Sequence, residues 1–140
     1  MISNNQLETI EYARKLARKL KGGATIGLIG ELGSGKTTFV KGLAEGLSVE
    51  ETITSPTFVI LKAYPGKIDK KNIDFVHIDA YRVENLDDIK SVGIEDFFNR
   101  DDVVMIIEWA EKIKKILPDN TIYIDFKHIS ENKRKIDNKK

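Results

Sequence analysis

The sequence predicts an α/β protein, a mixed sheet with helices against it, folded as a single compact domain over residues 1–140. Three observations carry that reading. Residues 25–29 are a short run rich in β-formers that passes through a glycine-rich loop into a helical pattern at Phe39, Val40, Leu43, Ala44 and Leu47. Residues 103–107, Val-Val-Met-Ile-Ile, are apolar without a break, the mark of a strand covered on both faces. An amphipathic helix precedes both, with Leu7, Ile10, Ala13, Leu16, Ala17 and Leu20 at helical spacing.

That first helix is expected to run about four turns, capped by Asn4 or Asn5 and stopped by Gly22-Gly23. Beyond the second helix, residues 57–63 and 73–78 read as two strands of an antiparallel hairpin. Between them lies a polar, turn-rich stretch, residues 64–72, containing Pro65-Gly66. Helical pieces follow at residues 86–92 and 95–98, broken by Gly93. Residues 103–107 are the best candidate for a central strand. Residues 110–117 suggest a short helix ended by Pro118, and residues 121–126 alternate as a strand does. The basic end, residues 131–140, is expected as a solvated and disordered tail, with tRNA phosphates as its alternative contact. Five of the last eight residues are basic: Lys133, Arg134, Lys135, Lys139 and Lys140.

Composition narrows the function. With 41% hydrophobic residues in 140, the chain supports one domain with a real core. Its 23 basic and 22 acidic residues leave a net charge of +1, so no global field marks a DNA-binding or membrane-surface protein. The absence of cysteine removes disulfides, thiolate metal sites and a catalytic thiol. No basic leader feeds an apolar stretch and no apolar run is long enough to span a bilayer, so a cytoplasmic setting is expected.

The chemistry concentrates in Gly30-Glu31-Leu32-Gly33-Ser34-Gly35-Lys36-Thr37, which satisfies the Walker A pattern between a strand and a helix. Glycines at 30, 33 and 35 let backbone N–H groups, with those of Ser34 and Thr38, curl around phosphate oxygens. Lys36 supplies a positive charge to the β- and γ-phosphates, Thr37 offers a hydroxyl to Mg²⁺, and the helix start favours an anion. The expected ligands are ATP and Mg²⁺ in a P-loop NTPase-like fold.

Such a loop needs a carboxylate at a nearby strand end to hold Mg²⁺, directly or through water. Glu108, after residues 103–107, ranks first. Asp79, after residues 75–78, is left with three roles: orienting water, holding Mg²⁺ through its shell, or capping the turn at Ala80. The alternative for either acid is an ordinary strand-end salt bridge, with Arg82 as the candidate partner. His77 is read as alternating out of the Asp79 face and as a packed residue. Trp109 is core, interface, or close to the nucleotide.

Four motifs occur in order: the loop through Thr38, then Thr54-Ser55-Pro56-Thr57-Phe58, then His77-Ile78-Asp79-Ala80-Tyr81-Arg82, then Ile107-Glu108-Trp109-Ala110-Glu111. Together they resemble the TsaE (YjeE) family of tRNA threonylcarbamoyladenosine biosynthesis, over nearly the whole chain. The resemblance implies Mg²⁺-dependent ATP hydrolysis and association with TsaB and TsaD type proteins. In that complex TsaD transfers the threonylcarbamoyl group to the adenosine beside the tRNA anticodon, and the ATPase cycle resets the assembly. It also implies Lys36 and the loop amides as phosphate cradle, Thr37 with Glu108 as metal site, and Asp79 as the acid of the second motif. Trp109 follows the metal-side glutamate, Thr9 lies where the N-terminal segment approaches the base, and residues 55–58 form a loop near the nucleotide. The glycine often found before the C-terminal basic strand is missing here.

Three rival readings share the loop. A small-molecule kinase usually carries an arginine-bearing lid, yet Arg82 and Arg100 are the only arginines between the loop and the tail. A GTPase would show Asp-x-x-Gly and Asn-Lys-x-Asp, and neither is present. A non-hydrolysing nucleotide sensor would differ only in releasing no phosphate.

Overall fold

Strand by strand, the seven-stranded mixed sheet has the order β1-β7-β6-β2-β5-β4-β3. The computed structural model describes residues 1–31, 33–54 and 61–139. The strands are β1 (Ile2–Ser3), β2 (Thr25–Gly30), β3 (Leu61–Ile68), β4 (Lys71–Asp79), β5 (Val103–Glu108), β6 (Ile122–His128) and β7 (Arg134–Lys139). β6, β2, β5 and β4 run parallel, while β1, β7 and β3 pair antiparallel at the two flanks.

β5 lies between β2 and β4 with all six residues buried, as its unbroken apolarity predicts. Its alternating side chains feed two cores. Val104 and Ile106 pack with helices α1 (Gln6–Ala17) and α2 (Lys36–Gly46). Val103, Met105 and Ile107 pack on the other face with Ile89 of α3 (Leu86–Lys90) and with Ile113. Period-two geometry thus makes one strand the shared wall of both layers.

Helix α1 is 12 residues long, about three turns rather than four, and Asn5 caps it by accepting from the Glu8 N–H at 2.9 Å. Leu7, expected on the apolar face, is 77% exposed. The packed stripe is Thr9, Ala13 and Ala17. Two of these small residues meet glycines of α2: an added Cβ would stand 2.8 Å from the Ala13 Cβ at Gly42 and 2.5 Å from the Ala17 Cβ at Gly46. Close backbone approach therefore selects the stripe, not side-chain bulk.

Three expectations change. The polar stretch at residues 64–72 is mostly strand: β3 runs through Pro65 and Gly66 to Ile68. The turn is Asp69-Lys70 alone, both at positive φ (48° and 69°), as a two-residue hairpin requires. Pro65 is accommodated because β3 is an edge strand; residues 57–60 of the expected strand lie outside the described residues. Residues 110–117 form two 3₁₀ turns, Ala110–Lys112 and Lys114–Ile116, in place of one helix. The basic end, expected as a solvated tail, contributes β7, which pairs with β6 and β1 and buries Ile136.

Candidate functional site

Because β2, β4 and β5 run parallel, their C-terminal ends deliver Gly30, Asp79 and Glu108 to one edge of the sheet, the edge where open α/β sheets bind ligands. A cleft of about 480 Å³ opens there, lined by loop residues 33–38 together with Asp79, Glu108, Trp109 and Arg134.

The loop turns from β2 into α2 through Gly35, whose φ of 101° lies in the left-handed region that favours glycine. No side chain caps α2. Its first N–H groups, which have no partner within the helix, are left to the cleft. Ser34 Oγ is buried without a hydrogen-bond partner. Nothing stands within 4 Å of where a Gly33 Cβ would be, so the cradle has room. An orphan hydroxyl, open N–H groups and lysine make a donor set that fits an anion.

Lys36 is 5% exposed. Its ammonium donates to the Gly30 carbonyl and lies 3.5 Å from the centroid of the Trp109 ring. Burial holds its pKa below the ordinary lysine value, against the opposing pull of Glu111, Glu108 and Asp79. Trp109 itself sits at a φ of 60°, and its ring packs on Tyr81 at 5.1 Å with the planes tilted by 49°.

Thr37 and Glu108 come together across 71 residues of sequence: the Thr37 hydroxyl donates to Glu108 Oε1 at 3.0 Å. The second carboxylate oxygen is 2.7 Å from His77 Nε2. His77 is fully buried and shares the face of Phe75, not the opposite one, since β4 alternates with period two and so places residues 77 and 79 together. The expectation that His77 turns away is thereby corrected. The other ring nitrogen, Nδ1, is buried without a hydrogen-bond partner. His77→Ala should cost about 2–3 kcal/mol in denaturant unfolding, because a buried carboxylate loses its donor. Unchanged stability would mean that the contact carries no weight.

Asp79 stands opposite Glu108 in register and lines the cleft. Its Oδ1 accepts the Tyr81 N–H at 2.9 Å, so the turn-capping role is filled. Burial raises its pKa, and the Glu108 charge adds to the rise; the Tyr81 hydrogen bond, His77 and Lys36 oppose it. Among the described residues no group of three or more His, Cys, Asp or Glu side chains could hold a metal ion. A divalent cation beside Thr37 and Glu108 would complete its shell with phosphate oxygens and water, as Mg²⁺ does.

The structure does not bring the Thr9 side chain to the cleft. It is fully buried, with its hydroxyl 2.7 Å from Ser3 Oγ, and Gln6 one turn earlier lines the cleft instead. Residues 55–58 lie outside the described residues. Arg100 pairs with Asp102 at 2.9 Å, before the opposite end of β5. Gln6 and Glu131 are cleft residues that sequence reading missed, and Arg134, read only as part of the basic end, is a third cleft residue. The signal for Arg134 was its two-residue spacing from Ile136, hidden by the surrounding lysines.

Comparison with known proteins follows the same span. The family model for threonylcarbamoyl adenosine biosynthesis protein TsaE matches residues 3–136. A tRNA threonylcarbamoyladenosine biosynthesis protein TsaE from Treponema pallidum is 35% identical over 135 residues, covering 96% of both chains. The protein of the same description from Bacillus subtilis is 36% identical over 132 residues, covering 94% of this chain and 79% of its own. A crystal structure of Bacillus subtilis YdiB superposes with a TM-score of 0.73 at 34% identity, covering 97% of this chain and 80% of that one. No helix among the described residues is long and apolar enough to cross a membrane.

Proposed function

The chain belongs to the TsaE family of tRNA threonylcarbamoyladenosine biosynthesis proteins, and from that membership we propose that it is the family's Mg²⁺-dependent ATPase subunit, acting in the cytoplasm with TsaB and TsaD type partners. The observation that carries this reading is the Thr37–Glu108 hydrogen bond of 3.0 Å. The hydroxyl and the carboxylate expected to share Mg²⁺ meet at the mouth of the glycine loop.

When bound, Mg·ATP supplies the electrophilic γ-phosphorus and, through the metal, part of the shielding its oxygens need. The chain's own contribution is position and charge. Loop N–H groups and Ser34 Oγ hold phosphate oxygens, Lys36 matches charge at the β/γ end, and Thr37 with Glu108 fixes the metal side. His77 keeps Glu108 in place from behind. Asp79, the register neighbour of Glu108, orients water in this reading.

Hydrolysis by the isolated chain is expected to be slow, because a lone P-loop domain leaves the charge that develops in the transition state incompletely matched. The partner surface would complete that environment, and a partner that prefers the ATP form must tighten ATP binding in return. Equal partner affinity with ATP analogue, ADP and no nucleotide would remove the resetting role.

The fate of labelled γ-phosphate tests the reaction class. It is expected as free phosphate with or without a cell extract. Stoichiometric transfer to a small hydroxyl compound would make the chain a kinase, and absence of any release, even with partners and tRNA, would make it a sensor.

A further inference from the structure

Helix α1 and the turn after it carry a run of cations that the fold does not neutralise. Lys15, Arg18, Lys19 and Lys21 are all exposed, and none of them forms an ion pair among the described residues. Arg14 on the same helix is the contrast: its guanidinium meets Glu45 at 2.6 Å and Glu11 at 3.2 Å. The four free charges exceed the chain's whole net charge of +1, so the rest of the chain is net negative and the positive charge is concentrated here. A favourable contact with the helix dipole accounts for cations in a last turn, yet Lys19 and Lys21 lie beyond Ala17, where α1 ends.

The surroundings narrow what would meet them. Lys19 and Lys21 line an open hollow of about 400 Å³ together with Asn99, Asn120 and the acid Asp101. The hollow sits where β2 and β6 begin, at Thr25 and Ile122. Along β2 it is about 15–20 Å from the glycine loop, so it is separate from the nucleotide cleft. No exposed large apolar side chain lines it or lies on residues 14–25, whereas a helix that rests on lipid needs an apolar face toward the bilayer. Asparagine amides both donate and accept, as a hydroxyl partner requires. Cations beside such amides suit a ligand that presents phosphates and ribose hydroxyls together better than one that presents carboxylates alone.

We propose that the end of α1 and the turn after it dock the phosphate backbone of a structured RNA, with tRNA as the RNA that the family's role supplies. Lys15 and Arg18 stand one helical turn apart, about 5–6 Å between Cβ atoms, and Lys19 and Lys21 extend the row into the hollow. Contacts of this kind position an RNA without reading its sequence. Because the face lies at the opposite end of the sheet from the cleft, RNA and nucleotide are held at once and neither displaces the other. The inference rests on family membership and on this surface, not on the reading of the cleft as a triphosphate site.

Fluorescence anisotropy of a labelled, unmodified tRNA transcript, titrated with the full chain at several salt concentrations, tests this. Wild type is compared with Lys19→Gln/Lys21→Gln, with the fourfold variant that adds Lys15→Gln and Arg18→Gln, and with Lys19→Arg/Lys21→Arg. A further variant, Lys133→Gln/Lys135→Gln, removes the same charge from the basic end. The fourfold variant is expected to weaken tRNA by at least about 10-fold and to flatten the slope of log affinity against log salt by about 3. The arginine variant should bind as wild type does, and the basic-end variant should lose much less than Lys19→Gln/Lys21→Gln. Melting temperature and binding of an ATP analogue should stay at wild-type values throughout, since these exposed side chains hold no internal partner. No tRNA binding by wild type at low salt overturns the proposal, as does an equal loss in the basic-end and Lys19/Lys21 glutamine variants. Polyglutamate or phosphatidylglycerol vesicles that displace tRNA at equal charge concentration would assign the face to an acidic protein or a membrane and overturn it too. Loss of analogue binding in wild type, with tRNA binding as expected, would count against the cleft alone.

Discussion

Lys36→Ala is expected to reduce ATP hydrolysis by at least about 100-fold, to the limit of detection, and to weaken triphosphate binding in a chain that stays folded. The folded state asks little of this side chain. Its ammonium makes one hydrogen bond to the Gly30 carbonyl and rests on the Trp109 ring, in a place where burial already disfavours the charge. Stability without nucleotide should therefore change by no more than about 1 kcal/mol. Phosphate release and thermal melting on the same preparation check both halves. A folded variant hydrolysing at the wild-type rate would remove Lys36 from the chemistry.

Glu108→Gln is expected to have the next largest effect, and a different one. The variant keeps the shape of a side chain that is 3% exposed and wedged between Thr37 and His77, but it gives up the negative charge. Loop N–H groups and Lys36 still hold the phosphates, so nucleotide binding without metal should persist. Magnesium affinity in the nucleotide complex should fall by about 10- to 100-fold, and hydrolysis with it. A magnesium titration at fixed nucleotide reads the difference. Unchanged metal affinity would transfer the role to Asp79, its neighbour in register.

Most of this site was legible before the fold was known because its chemistry is local or lies at strand ends. The glycine loop is contiguous, and an apolar run that stops at a carboxylate announces a strand end facing a ligand. What stayed hidden needed the third dimension. His77 was misassigned by one step of period two, and that step hid its contact with Glu108. Arg134 looked like one more charge in a lysine-rich end, since nothing local says that β1 will pair with β7 and convert a tail into a strand. Pro65-Gly66 imitates a turn, and only the edge position of β3 lets it be a strand. Leu7 yielded its expected place to Ala13 and Ala17 because the facing helix offers Gly42 and Gly46, which only close approach can use.

The central claim, that this cleft takes Mg·ATP with Lys36 at its phosphates, has a built-in reporter. Trp109 is the single tryptophan of the chain, and its ring lies 3.5 Å from the Lys36 ammonium. Titrating the wild-type chain with Mg²⁺ and a non-hydrolysable ATP analogue, while following tryptophan emission, reads the site directly. A saturable one-to-one change, shifted to much higher concentration in Lys36→Ala, is the expected result. No change up to millimolar analogue, with calorimetry on the same sample registering no heat of binding, would contradict it.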